Sequence, residues 1–197
     1  MPPSTNPHPH PHAQAQPQTH AQAQATPPPH PHLNTSTTRF PVAVDAALRE
    51  AGWQPGRWDI KQAEHWADTL RAHASPAGHR HTVFPAAVEA WAEFGGLHIN
   101  PPGTGRQIAP TPAVLDPLHG LHLARTFADL GRALDTEVCP LGRENGRTGD
   151  LQATLAIDAE GRVYSLDHTG DWFLGHTLDQ ALATLVSGTR PARLALA

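Results

Sequence analysis

Histidine is the residue type that could give this chain a chemical activity, since 15 of its 197 residues are histidines. A neutral imidazole can act as a general base or bind a metal ion near neutral pH. His79 and His81 are spaced to share one side of a strand. His119 and His122 are spaced to share one face of a helix. Neither pair is accompanied by the third and fourth ligands of a zinc site, so we predict no metal site and no cofactor.

Nucleophilic catalysis is also disfavoured. The one cysteine, Cys139, lies in the apolar run Val-Cys-Pro-Leu, where burial raises a thiol pKa and suppresses the nucleophilic thiolate. Ser165 and His168 are close in sequence, but no Gly-x-Ser-x-Gly elbow surrounds the serine. The sequence therefore predicts a protein that is not an enzyme. The alternative is a hydrolase that uses His98, His168 or His176 as a base beside a carboxylate.

Tryptophan and arginine, the usual anchors of protein interfaces, indicate a binding surface instead. Of the 5 tryptophans, Trp66 and Trp91 lie on apolar helix faces that predict core positions. The glycine-rich, charged segment 142–150 is predicted to be a loop that contacts a partner. Our predicted partner-contact residues are Arg57, Trp58, His98, Asn100, Asp116, Arg143, Glu144, Asp171 and Trp172.

The elements that must position these residues follow from hydrophobic periodicity. Helices are predicted over residues 41–51, 59–70, 85–94, 126–134 and 178–186. Strands are predicted over residues 97–100, 106–108, 113–115, 137–141, 151–157 and 162–166. Helices first, strands later and a final helix indicate the α+β class, with a mostly antiparallel sheet and helices packed against it.

Residues 1–38 form a segment of a different kind. They contain no Asp, Glu, Lys or Arg, and are rich in Pro, His, Gln and Ala. Such a composition cannot bury enough apolar surface to offset its loss of chain entropy, so we predict a disordered N-terminal tail. The six histidines of this tail lack the fixed geometry that a metal site needs. The folded domain is predicted to span residues 39–197.

The charged residues, 14 basic and 18 acidic, give a formal net charge of −4. A mildly acidic domain does not predict the basic patch of a nucleic-acid-binding protein, whereas a basic protein partner is compatible with it. The chain shows neither a secretory signal nor a run of about 20 apolar residues that could span a bilayer. A single cysteine excludes an intramolecular disulfide. We therefore predict a cytoplasmic protein that binds neither nucleic acid nor membrane, with a monomer as the favoured state.

The segment 51–57 carries the densest structural signal in the chain. Gly52 suits the left-handed position that ends a helix, and Pro55 with Gly56 suits the centre of a type II turn. Trp53 can then fold back onto the preceding helix. Glycines that end a later helix or close a hairpin extend this set. The predicted structural positions are Gly52, Trp53, Pro55, Gly56, Gly95, Gly96 and Gly161.

Four motifs, in their order along the chain, resemble those of a known protein family. The motifs are Gly-Trp-x-Pro-Gly-Arg from Gly52, Glu-Phe-Gly-Gly-Leu from Glu93, Cys-Pro-Leu-Gly from Cys139 and Ala-Ile-Asp-Ala-Glu-Gly-Arg-Val-Tyr from Ala156, followed by a terminal helix. Together they resemble the third bacterial immunity-protein subfamily of the SUKH superfamily over about residues 39–190. The resemblance implies a single SUKH-like domain that is not an enzyme.

Such a domain is expected to neutralise a cognate polymorphic or contact-dependent toxin domain, such as a nuclease or a deaminase, by stoichiometric contact. The toxin is expected to be encoded nearby. The alternative is an intracellular scaffold or regulatory module of the same fold. Acidic contact residues would steer a basic toxin and speed association. On this hypothesis, Asp171→Lys and Glu144→Lys slow association.

Overall fold

Seven antiparallel strands form one sheet, in which each strand pairs with its neighbours in the chain. The computed structural model describes residues 38–145 and 152–195. The strands are β1 (His98–Ile99), β2 (Ala113–Val114), β3 (Val138–Asn145), β4 (Gln152–Asp158), β5 (Val163–Asp167), β6 (Gly170–Gly175) and β7 (Ala192–Arg193). The helices are α1 (Val42–Glu50), α2 (Ile60–Ala72), α3 (Pro85–Phe94), α4 (Ala124–Leu134) and α5 (Leu178–Ser187), with a 3₁₀ helix (Pro117–Leu123) before α4. The predicted α+β class is confirmed.

Local sequence explains where the helices begin. The Asp59 carboxylate accepts a hydrogen bond from the Gln62 backbone N–H at 3.1 Å, which makes Asp59 the N-cap of α2. Pro85 occupies the first turn of α3, where its missing N–H costs no helical hydrogen bond. The Thr177 hydroxyl accepts from the Gln180 N–H at the start of α5. These local signals fix where the three helices begin.

One face of the sheet is covered by helices and carries the main core. Helices α1, α3 and α5 pack against this face, and α2 packs on α3. We call it the helix-covered face. Its buried strand residues in the main core are Ile99, Ala113, Cys139, Leu141, Leu155, Ile157, Val163 and Leu174. The other face is covered by α4, where Phe127 and Leu130 pack on Val138, Ala156 and Tyr164.

A row of paired residues beside the α4 contact stays partly exposed. We call this row the open sheet face. Each of its residues pairs in register with the next across six strands, so all six side chains project to the same side. None of these six side chains is buried. The row is His98, Val114, Arg143, Thr154, Leu166 and Asp171.

Several sequence predictions differ from the structure. Residues 106–108 do not form a strand, because their backbone N–H groups donate to the carbonyls of Ser187 and Gly188 at the end of α5. Strand β3 runs on to Asn145, past its predicted end, with a register shift between Pro140 and Gly142. Strands β6 and β7 and the 3₁₀ helix were not predicted. The rest of the predicted contact loop, residues 146–150, lies outside the described residues.

The predicted tail, residues 1–38, lies outside the described residues apart from Thr38. Its disorder and the domain boundary beside it therefore stay predictions. Among the residues that the structure does describe, no helix combines the length and the apolarity needed to span a bilayer.

Candidate partner-binding site

A groove of about 480 Å³ lies between α3, the start of α5 and the turn that joins β4 to β5. We call it the acidic groove, because its charged side chains comprise four carboxylates and one guanidinium. They are Arg39, Glu89, Glu93, Glu160 and Asp179. Apolar side chains, including Ala90, Phe94 and Leu178, also line it. Trp58, which is 54% exposed, lines the same groove. An exposed indole beside carboxylates makes this groove the candidate site for a protein partner.

Arg39 joins the start of the folded domain to α3 and α5. Its Nε and Nη2 donate to the two carboxylate oxygens of Asp179 at 2.6 and 2.7 Å. The same guanidinium donates to the Glu93 carboxylate and lies 5.1 and 5.4 Å from the ring centroids of Phe40 and Phe94. The hydrogen bonds to Asp179 are the largest cause of an Arg39 pKa raised above its usual range. The guanidinium therefore stays charged in the groove.

Glu93 is the point where two of the sequence motifs meet. Trp53 Nε1 donates to the Glu93 carboxylate at 3.3 Å, and the indole stacks on the Phe94 ring. Arg57 donates to the backbone carbonyls of Glu93 and Gly95, the latter at 2.7 Å. Because these carbonyls end α3, the guanidinium caps that helix and stabilises its negative pole. The Gly-Trp-x-Pro-Gly-Arg motif thus fixes one wall of the acidic groove.

The turn that positions Arg57 has the expected geometry. Gly52 and Gly56 have φ values of +96° and +81°, in the region that favours glycine. The Arg57 backbone N–H donates to the Gln54 carbonyl at 3.0 Å. This i to i+3 bond, with positive φ at the third residue, defines a type II turn. The turn brings the chain to Trp58 at the edge of the groove.

Gly95 allows α3 to end against α2. A Cβ atom at this position would lie 2.3 Å from the Trp66 ring and 2.4 Å from the Trp91 carbonyl oxygen. Real Cβ atoms do not approach other atoms so closely, so any side chain here forces the wall to shift. The next residue, Gly96, has open space around it and a φ of +77°. The two adjacent glycines are therefore needed for different reasons.

The predicted contact residues near this groove divide into two kinds. Trp58 is exposed and free to meet a partner, whereas Arg57 is half-buried and committed to the end of α3. Sequence reasoning missed Arg39, Glu93 and Asp179 as a set, because 140 residues separate Arg39 from Asp179. The available signals were weak: Arg39 is the first charged residue of the chain, and Asp179 lies in the first turn of α5.

Four other predicted contact residues lie on or beside the open sheet face. His98, Arg143 and Asp171 belong to its row, and Asp116 follows β2 closely. Burial lowers the pKa of the nearby His119, and the charges of Arg143 and His98 lower it further while Asp116 opposes them. Burial raises the pKa of Asp171. The structure therefore brings together predicted contact residues of both charge signs on this face.

Glu144 and Trp172 point to the other side of the sheet. Glu144 is 1% exposed and accepts a hydrogen bond from the buried Ser165 hydroxyl. Trp172 pairs in register with Ser165 and is half-buried. Burial removes Glu144 from the surface that a partner can touch, which corrects its place in the predicted contact set. Asn100 is exposed just beyond β1.

The side chains considered for catalysis lie in different parts of the fold. Cys139 is fully buried, and burial raises the pKa of its thiol. His168 is exposed beyond the end of β5. His176 lines the acidic groove, and its ring packs edge-on against Phe173 at 4.8 Å. Within residues 38–145 and 152–195, no group of three or more His, Cys, Asp or Glu residues is placed to hold a metal ion.

Comparison with known proteins gives one match. A family model described as SUKH-3 immunity protein matches residues 40–188. This range includes every predicted contact residue and all of the acidic groove except Arg39, which immediately precedes it. No curated protein and no solved structure matches the chain.

Proposed function

Because the chain belongs to the SUKH-3 immunity protein family, whose model matches residues 40–188, we propose that it neutralises one toxin domain by binding it stoichiometrically. The family implies immunity against a toxin. Our proposal adds the mode of action: the folded protein covers a functional surface of the toxin and catalyses no reaction. The proposal includes two further points: the protein acts in the cytoplasm, and its toxin is encoded by a neighbouring gene.

The acidic groove is the observation that carries this proposal. A large exposed aromatic side chain costs free energy in water, and it becomes favourable when a partner covers it. Trp58 is 54% exposed at the rim of a groove whose walls are held by internal hydrogen bonds. A rigid surface loses little conformational entropy on binding, which favours tight association. These features suit a binding protein that meets one partner with a preformed surface.

A titration distinguishes binding from catalysis. Full-length protein, carrying a tag that does not depend on histidine, is added in increasing amounts to a fixed amount of the toxin domain encoded beside its gene. We expect toxin activity to fall linearly and to reach its minimum at equal molar amounts, with a one-to-one complex in size-exclusion chromatography and light scattering. Complete inactivation at a small fraction of the toxin concentration, increasing with time, would instead identify an enzyme.

The chemical class of the toxin follows from the same experiment. Degradation of RNA or DNA by the free toxin domain would identify a nuclease, and base conversion would identify a deaminase. A toxin domain that stays fully active in the presence of excess protein, with no complex at micromolar concentration, would contradict the proposed function. Capture of a host protein in place of the toxin would support the scaffold alternative.

A further inference from the structure

We infer that the acidic groove receives a basic segment of the toxin and seats one of its arginine or lysine side chains between Trp58 and Glu89. This inference rests on the proposed function and specifies the partner's chemistry at the same site. It also separates the groove from the open sheet face, which holds three of the contact residues that sequence alone predicts.

One carboxylate of the groove has no ion-pair partner among the described residues. Glu93 and Asp179 are both paired with Arg39. Glu160 accepts hydrogen bonds from the Arg162 guanidinium at 2.9 Å and the Thr136 hydroxyl at 2.8 Å. Glu89 is exposed and forms no ion pair with any residue that the structure describes. Glu89 is thus the carboxylate that can accept a cation from outside.

Trp58 supplies the second requirement, an aromatic surface for the cation. Guanidinium and ammonium groups are attracted to the face of an indole, and an arginine can stack on the ring while it forks a carboxylate. Trp58 and Glu89 line the same groove, so one incoming side chain can meet both. Its aliphatic stem would lie along the apolar lining at Ala86 and Ala90, as the stems of long basic side chains commonly do.

The open sheet face does not offer the same chemistry. Its row contains Arg143 and Asp171 on the same side of the sheet, with His98 at one end. Charges of both signs on one surface attract a basic segment only weakly, since the attraction and the repulsion partly cancel. The groove, by contrast, carries four carboxylates against one guanidinium among its lining residues. Charge complementarity therefore points to the groove as the surface for a basic partner.

Three substitutions with the same change of charge test this inference. Glu89→Lys alters the groove, Asp171→Lys alters the open sheet face, and Glu50→Lys alters the exposed end of α1. Affinity and association rate are measured by biolayer interferometry, with full-length protein and a catalytically inactive form of the toxin domain from the neighbouring gene. Melting temperatures and near-ultraviolet circular dichroism establish that each variant is folded.

We expect Glu89→Lys to weaken binding by about 30-fold or more, the size of an interface hot spot. Asp171→Lys and Glu50→Lys are expected to change affinity by less than about threefold. Glu89→Gln, which removes the charge without adding repulsion, should fall between these limits. Trp58→Ala should weaken binding by roughly the same factor as Glu89→Lys, with its main effect on dissociation.

Two failures have different meanings. If the wild-type protein forms no complex with an active toxin domain, the proposed function fails and this inference fails with it. If the wild type binds while Glu89→Lys and Trp58→Ala bind equally well, only the inference about the groove is overturned. Loss of binding in Asp171→Lys, without loss in Glu89→Lys, would assign the interface to the open sheet face.

Discussion

The acidic groove and the open sheet face are two polar surfaces of one domain, yet they are built in different ways. In the groove, side chains from distant parts of the sequence hold one another, as Arg39 does with Glu93 and Asp179. On the open sheet face, charged residues stand on separate strands of one sheet and keep the order that strand pairing gives them, as Arg143 on β3 and Asp171 on β6 do. Tertiary interactions set the first arrangement, and sheet register sets the second.

The difference indicates how a fold can keep one surface fixed while another tolerates change. The groove wall depends on the capping of α3 by Arg57 and on the absence of a side chain at Gly95. No comparable clamp holds the described charged residues of the open sheet face, where Arg143 makes a single side-chain hydrogen bond to Gln152 at 3.0 Å. Substitutions in the groove wall should therefore cost more stability than substitutions of similar size on the open sheet face.

The largest expected effect comes from filling the space at Gly95. Gly95→Ala places a methyl group against the Trp66 ring and the Trp91 carbonyl, so we expect a loss of about 3 kcal/mol in the free energy of unfolding. Gly96→Ala is the matched control, because that position has open space and only a backbone cost of about 1 kcal/mol. Urea unfolding of both variants measures the difference. Equal losses would mean that the close approach does not constrain the wall.

A second comparison uses two arginines. Arg57→Met removes the cap from α3 and leaves two carbonyls without their charged donor, for which we expect a loss of about 2 kcal/mol. Arg143→Met removes one hydrogen bond on the open sheet face and should cost about 0.5 kcal/mol. Both variants keep most of the aliphatic stem. If Arg143→Met proved the more destabilising of the two, the contrast between the two surfaces would be wrong.

Acid should weaken the α4 side of the molecule first. His81 is buried, and its ring Nε2–H donates a hydrogen bond to the Leu121 carbonyl at 2.7 Å. Burial is the main cause of its lowered pKa. A lowered histidine pKa means that the unfolded chain binds the proton more readily. The contribution of neutral His81 to the free energy of unfolding is therefore complete above the usual histidine pKa. It is lost as the pH drops through the lowered value. The lowered pKa of His119 acts in the same direction.

We expect the melting temperature to fall between about pH 7.5 and about pH 5.5, and His81→Gln, which keeps an N–H donor, to flatten this dependence. Thermal unfolding across the pH range is the measurement. An unchanged slope in His81→Gln would show that other groups cause the acid response. Glu89→Gln in the groove is the control, and it should leave the slope between these pH values nearly unchanged.

A small effect on stability, similar to that of Arg143→Met, is expected from Arg39→Met. The guanidinium is 45% exposed in its ion pair, so solvent screening limits the loss to about 0.5 kcal/mol. The same change leaves Glu93 and Asp179 uncompensated and makes the groove more negative. Binding of a basic toxin should then become faster by roughly twofold at low salt, although the protein is less stable. A slower association would contradict a basic partner at this groove.

Helix positions could be predicted from sequence, because caps such as Asp59 and Pro85 are local signals. The sheet was harder. Residues 142–145 have the composition of a loop, but they pair with β4 beyond the register shift after Pro140 and so continue β3. Once they form a strand, Arg143 and Glu144 must face opposite sides, so a contact predicted for both could hold for only one. Sequence composition contains no information on this alternation until the strand is known.

The candidate site was predictable in part. Trp58 could be found because an aromatic residue directly after a tight turn is poorly placed for burial, and it is indeed exposed. The charged partners in the groove could not be found, since they meet only after α3 and α5 have packed on the sheet. The family resemblance predicted the fold and the immunity class together, and the match over residues 40–188 confirms the family.

The pairing of Arg39 with Asp179 has a consequence for protein synthesis. The two residues lie 140 positions apart, and α1 packs against α5. While a ribosome is still translating the chain, the first helix has no α5 to pack against and the groove has no second wall. The binding surface can therefore form only when translation has delivered α5. On the proposed function, a cell that begins to make the toxin and this protein together is unprotected for that interval, unless finished protein is already present.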